Sequence, residues 1–241
     1  HDRATGRWSV DLDMLGDLVN ARTKLIAICN PNNPTGMRFD ANMLDAIAEI
    51  ADRHGTWVLA DEIYRGAEFD GVETPTMWGR SPRVIVTNSL SKSYGLPGMR
   101  LGWMVAPPQT RDEFWLRHDY TTIAPNALAD LVATWVLTHH RAPLLARARE
   151  ILTGNFAHVS SWLDEHADII RYSTPDAGGM LWLAYDLEIG STELADRLRA
   201  EHDVLLVPGD QYGMDHHLRI GFGGELDHVQ TGLDRLATLI S

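Results

Sequence analysis

Lys92 sits in the run Ser89-Leu90-Ser91-Lys92-Ser93-Tyr94-Gly95-Leu96-Pro97-Gly98-Met99-Arg100-Leu101-Gly102. The apolar run Val84-Ile85-Val86-Thr87 leads into it and Trp103-Met104-Val105 follows. The pattern places one lysine on a Ser/Gly-rich turn between two strands. Burial of a lysine there disfavours its ammonium form, and a neutral amine attacks a carbonyl to give a Schiff base. Small hydroxyl residues before the lysine and a guanidinium after it suit a phosphate. Together these residue types describe a site for an aldehyde that carries a phosphate.

Three further stretches add to this chemistry. Leu25-Ile26-Ala27-Ile28-Cys29 reads as a buried strand and ends in Asn30-Pro31-Asn32-Asn33-Pro34-Thr35-Gly36. The prolines and glycine fix a rigid turn at a strand's C-terminal end, where α/β sheets place ligands. A plain strand-to-helix turn accounts for the prolines and Gly36 but does not require the amide of Asn33. Thr56-Trp57-Val58-Leu59-Ala60 is the next strand, followed by Asp61-Glu62-Ile63-Tyr64. An aspartate ending a buried strand is costly without a cation or hydrogen bonds, and a protonated ring nitrogen is such a partner. Arg219, between apolar residues in Leu218-Arg219-Ile220-Gly221-Phe222, calls for an anion. That anion is either a surface carboxylate or a ligand.

The lysine run resembles the cofactor-binding segment of class I/II aminotransferases, which are pyridoxal 5'-phosphate enzymes of fold type I. Asn-Pro-Asn-Asn-Pro-Thr-Gly and Asp-Glu-Ile-Tyr are similar to two further segments of that family. The resemblance covers nearly the whole chain. It implies that Lys92 forms the Schiff base and acts as the catalytic base. It implies that Asp61 holds the pyridine nitrogen protonated, and that Tyr64 and Asn33 bond the phenolic oxygen. Ser89 and Arg100 then bind the phosphate with Ser91 assisting, Arg219 grips the substrate carboxylate, and Asn33 also lies near that carboxylate as a substrate-binding residue. Glu62 is expected to be structural. The resemblance further implies an amino acid and a 2-oxo acid as substrates, a homodimer, and an N-terminal part of the large domain preceding His1. The implied reaction is transamination. Other fold-type I chemistries (lyase, cyclase or oxidase) begin with the same proton abstraction, and a non-catalytic remnant is the third reading.

Composition narrows the partners. Of 241 residues, 44% are hydrophobic and 22% charged, as in ordinary globular chains. The 33 acidic against 21 basic residues, a net −12, argue against nucleic acid or an anionic membrane. No apolar run approaches the roughly 20 residues of a membrane span. A single cysteine, Cys29, excludes an internal disulfide and suits a reducing, cytoplasmic setting. The 11 histidines, including His139-His140 and His216-His217, show no metal-ligand spacing.

The elements that must position these residues are those of an α/β fold. A mostly parallel sheet flanked by helices is expected, with a smaller C-terminal α/β domain. Residues 1–155 form the first domain and 156–241 the second, with the change near Asn155. Helices are expected from about Asp11, with Leu12, Leu15, Leu18 and Val19 on one face, and from Asp40 as N-cap to about His54, with Leu44, Ile47, Ala48 and Ala51 inward. Further helices are expected over 109–119, 125–140, 143–166, from Ser191 as cap to about His202, and 225–240. Trp103, Met104, Trp115 and Trp135 are assigned to the core.

Overall fold

The computed structural model describes residues 7–240. Its contacts divide the chain into two compact units. One comprises residues 9–32 and 38–148, and the other, of the described residues, 7–8, 33–37 and 149–240.

The first unit is built on the sheet β1 (Leu25–Cys29), β2 (Trp57–Asp61), β3 (Val84–Ser89) and β4 (Gly102–Val105), in that order. β1–β2 and β2–β3 are parallel and β3–β4 antiparallel. Cys29 pairs with Asp61 and Asp61 with Thr87, so β1 and β2 end level and β3 runs two residues further, to Ser89. β3 is buried at Val84, Ile85 and Val86, then turns polar over Thr87, Asn88 and Ser89. That switch from core to chemistry happens within one strand, and Asn88 lies inside it rather than in a turn. Helix α2 (Ala41–Arg53) links β1 to β2. It starts where Asp40 accepts the Met43 N–H at 2.8 Å. Its stripe Leu44, Ile47, Ala48 and Ala51 is 0–3% exposed. It gives way to Gly55 at φ +64°, a conformation only glycine adopts freely.

No helix joins β2 to β3. Two buried carboxylates knit that loop instead. Glu62 accepts from Met77 N at 2.7 Å and Thr76 Oγ1 at 2.8 Å. Glu68 accepts from Thr74 N and Gly66 N. Desolvation raises the Glu62 carboxyl above its ordinary pKa, and these hydrogen bonds offset only part of that.

Several core assignments do not hold. α1 (Leu12–Leu18) buries no residue of its own, and Leu18 is exposed, although Val19 just beyond it is buried. β1 exposes Leu25 on its outer face. On α3 (Pro108–His118) and α4 (Ala127–His139), Trp115 is 58% and Trp135 55% exposed, and Met104 on β4 is also exposed. Periodicity tells which residues share a face, but not what that face meets.

The second unit carries the antiparallel sheet β5 (Ile170–Tyr172), β6 (Met180–Tyr185), β8 (His217–Gly221), β7 (Val207–Pro208), in that spatial order. One face is apolar: Leu181, Leu183, Leu218 and Ile220 are buried. Helices α6 (Ser191–His202) and α7 (Leu226–Ile240) pack on each other and bury Leu194, Leu198, Leu233 and Leu236. On the other face Trp182 pairs across the strands with Arg219. Helix α5 (Arg141–Glu165) runs through the change of unit, and its Asn155 donates to Phe222 O and Gly224 O at 2.7 and 2.8 Å. The cap of α6 differs from the sequence expectation. Gly190 is the N-cap and Ser191 the first helical residue, while Asp215, 24 residues on, accepts the Ser191 N–H at 2.6 Å.

Candidate functional site

In the first unit, Lys92 and its neighbours follow the C-terminal ends of β2 and β3, the end of a parallel sheet where ligands bind. The lysine loop is closed at its base. Ser89 pairs with Gly102, and Leu90 N donates to Leu101 O at 3.1 Å. A Cβ on Gly102 would lie 3.0 Å from Asn88 O and 3.1 Å from Ser89 Cβ, so glycine permits this close pairing. Inside the loop, Gly95 N donates to Lys92 O and Leu96 N to Leu90 O, both at 2.9 Å. Leu90, Tyr94, Ala133 and Leu145 form the buried cluster beneath it, with Met99, Leu101 and Trp103 packed against them. Trp103 thus fulfils its core assignment in part.

Lys92 itself is exposed, which corrects the expectation of a buried amine. The loop buries Leu90, Ser93 and Tyr94 instead, and Ser93 Oγ donates to Ile63 O at 2.9 Å. The Lys92 ammonium lies 5.9 Å from the centre of the buried Tyr64 ring. It makes no ion pair among the described residues. Lys92 is one of two lysines in the chain; the other, Lys24, precedes β1.

Asp61 is half-buried at the end of β2. It accepts from Ile63 N at 3.2 Å and Thr87 Oγ1 at 3.4 Å, both on Oδ1. No cation faces it among the described residues, so a half-buried carboxylate is left one positive partner short. Ser89 Oγ accepts the Ser91 N–H at 3.1 Å, which brings the two hydroxyl residues together. Arg100 sits at φ +51°, a left-handed conformation unusual for a non-glycine residue, immediately before the Leu101–Leu90 closure. Its guanidinium donates to Pro97 O at 2.9 Å and has no carboxylate partner among the described residues.

In the second unit, Arg219 is half-buried on β8. Its Nη1 donates to Asn33 Oδ1 at 3.0 Å and to the Tyr212 hydroxyl at 2.8 Å. Asn33 and Arg219 are therefore together. Tyr212 was missed by sequence reasoning, since nothing in Gly209-Asp210-Gln211-Tyr212 singles it out. Arg219 has no acidic partner among the described residues, which excludes the surface ion pair. No group of acidic, histidine or cysteine side chains among the described residues could hold a metal.

Comparison with known proteins agrees with this chemistry. The pattern of the family "Aminotransferase class I and II" matches residues 3–236. This chain belongs to that family. Its members depend on pyridoxal 5'-phosphate, and its architecture is that of fold type I. Capreomycidine synthase of Streptomyces vinaceus is 29% identical over 96% of this chain and 59% of its own length. Arginine–pyruvate transaminase of Pseudomonas aeruginosa is 28% identical over 91% of this chain and 56% of its own. Among solved structures, a PLP-dependent aminotransferase from Streptococcus suis superposes with a TM-score of 0.89 at 35% identity, covering 98% of this chain and 62% of that one. The chain thus spans about 60% of the length of the relatives it matches.

The residues present fit the family's cofactor. Asp61 is a carboxylate lacking a cation, which suits a protonated ring nitrogen. Ser89, Ser91 and Arg100 offer hydroxyl and guanidinium donors to a phosphate. Lys92 offers an amine not committed to an acid.

Proposed function

We propose that the chain is the larger part of an aminotransferase that moves an amino group between an amino acid and a 2-oxo acid. Asp61 carries this reading, because it is a half-buried strand-end carboxylate that faces no cation among the described residues. Pyridoxal 5'-phosphate, when bound, supplies a ring that accepts the electron pair left behind when the substrate's α-proton departs. Lys92 holds the cofactor through Nζ. Released by the incoming substrate amine, Lys92 Nζ would take the α-proton and carry it to the cofactor's C4' carbon. Asp61 keeps the ring nitrogen protonated, Tyr64 and Asn33 serve the phenolic oxygen, and Ser89, Ser91 and Arg100 hold the phosphate. Arg219 binds the substrate carboxylate, which fixes the α-hydrogen in one orientation.

The relatives' names cover arginine, aspartate and aromatic amino acids among others, so the substrate class stops at amino acid and 2-oxo acid. We place the protein in the cytoplasm, as a homodimer without nucleic-acid or membrane partners. The acidic balance supports the absence of nucleic acid. No helix among the described residues is long and apolar enough to cross a membrane. The exposed apolar side chains of α3 and α4, Trp115, Leu116, Leu128, Leu131 and Trp135, support self-association. Light scattering at micromolar concentration tests the dimer.

The decisive test is a single turnover. The protein is loaded with pyridoxal 5'-phosphate and mixed with amino acids in the absence of any 2-oxo acid. Transamination predicts one equivalent of 2-oxo acid and of pyridoxamine 5'-phosphate per site. Release of ammonia or a cyclised product with the cofactor unchanged would show a lyase, oxidase or cyclase instead.

A further inference from the structure

The guanidinium of Arg219 spends both hydrogens of one nitrogen on neutral acceptors. Nη1 donates to Asn33 Oδ1 at 3.0 Å and to the Tyr212 hydroxyl at 2.8 Å. Nε and Nη2 make no hydrogen bond among the described residues. They form the planar edge that pairs with a carboxylate through two parallel bonds.

Tyr212 is well fixed for this task. It ends the short 3₁₀ turn Gly209–Tyr212, which Gly213 closes at φ +71° with its N–H on Asp210 O. Met214 N donates to Gly209 O at 3.0 Å, and a Cβ on Gly209 would lie 2.0 Å from Met214 O, so the turn accepts only glycine there. Asp210 ties the same turn to α6, through its N–H on Ser191 Oγ and its Oδ2 accepting from Thr192 Oγ1. The Tyr212 ring meets buried Trp182 edge-on at 5.0 Å, and Trp182 is the cross-strand partner of Arg219. A phenol oxygen that accepts from Arg219 still has its own hydrogen, and no acceptor for it exists among the described residues.

We propose that Tyr212 is a positioning residue of the substrate carboxylate subsite. With Asn33 it saturates Nη1, turns the Nε/Nη2 edge of Arg219 outward, and supplies its own O–H as a third donor to the same carboxylate. The inference rests on the proposed function for the identity of the carboxylate. The pairing with Arg219 stands independently of it.

Tyr212→Phe keeps the ring packed on Trp182 and removes only the oxygen. The twenty amino acids are screened on the cofactor-loaded protein, and the best substrate is compared with its decarboxylated amine, with propionate as competitor. The variant is expected to raise KM and the propionate inhibition constant on the order of tenfold. The value of kcat should change less than about threefold, and amine binding not at all. An unchanged propionate constant overturns the proposal, as does an equal loss of amine binding, which would mark a merely structural role. A second readout needs no turnover. Propionate should protect Arg219 from phenylglyoxal, read by mass spectrometry, in the parent protein and about tenfold less well in Tyr212→Phe. Should the parent protein turn over no amino acid, the proposed function fails, while this protection experiment still decides the role of Tyr212.

Discussion

Leu90 lies between the two proposed phosphate-binding serines and is 0% exposed. It touches no cofactor in the proposed site; its side chain belongs to the cluster of Tyr94, Ala133 and Leu145. Truncation to alanine removes a fully buried branched side chain, and such changes cost about 2–5 kcal/mol, transfer and cavity together. The loop above relies on that cluster, because its turn is held mainly by local bonds, such as Gly95 N to Lys92 O, Leu96 N to Leu90 O and Met99 N to Leu96 O. If about half of a ~3 kcal/mol loss falls on ordering this loop, the fraction competent to bind drops about tenfold, and apparent affinity drops with it. Leu90→Ala is therefore expected to lower stability by about 3 kcal/mol in urea melts and to weaken pyridoxal 5'-phosphate binding about tenfold in absorbance titrations. The matched control is Leu198→Ala on α6, also 0% exposed but in the other unit. It should lose similar stability and retain cofactor affinity at temperatures where it stays folded. Equal affinities in Leu90→Ala and the parent protein, or equal losses in both variants, would refute the reasoning that this cluster holds the loop.

Three further perturbations separate the parts of the account. Asp61→Asn removes a half-buried carboxylate with no cation. The apoprotein should melt no lower than the parent, while turnover falls about a hundredfold or more; a matching drop in apoprotein stability would show that Asp61 is structural. The Glu62 carboxyl is raised by burial, so its folded form binds protons more tightly than the unfolded chain. Its stabilising share is complete below the unfolded value of roughly 4.3 and is lost as pH rises through the higher folded value. Glu62→Gln should remove that decline, so that urea melts from pH 4 to 8 show the variant gaining on the parent; parallel profiles would contradict the assignment. Gly36 has φ +69° and a Cβ would lie 2.4 Å from Pro175 Cβ. Gly36→Ala should cost about 2 kcal/mol or more, measured by thermal melting, and lower the carboxylate affinity conferred by the neighbouring Asn33.

The strand ends that carry Asp61 and Lys92 were legible because core and site occupy adjacent residues of one strand. Val84 to Val86 are apolar and the chemistry begins directly after them. Helix α2 was legible for a similar local reason, since Asp40 and the Leu44–Ala51 stripe lie within one element. Contacts distant in sequence were not. Ser191 reads as a cap by residue type, yet Asp215 performs that role from 24 residues away. Tyr212 meets Arg219 only because β7 and the following turn fold back beside β8, and no local spacing encodes that. The exposure of Lys92, Trp115 and Trp135 was equally illegible, because residue type gives an affinity for burial and not the presence of something to bury against.

The account rests on one amine. Lys24 and Lys92 are the two lysines of the 241 residues, and the chemistry assigns the role to Lys92. The protein is incubated with pyridoxal 5'-phosphate, reduced with borohydride, digested and sequenced by mass spectrometry. The account predicts a phosphopyridoxyl group on Lys92 alone, lost in Lys92→Ala together with turnover. Labelling of Lys24 at an equal level, or turnover that survives Lys92→Ala, would contradict it.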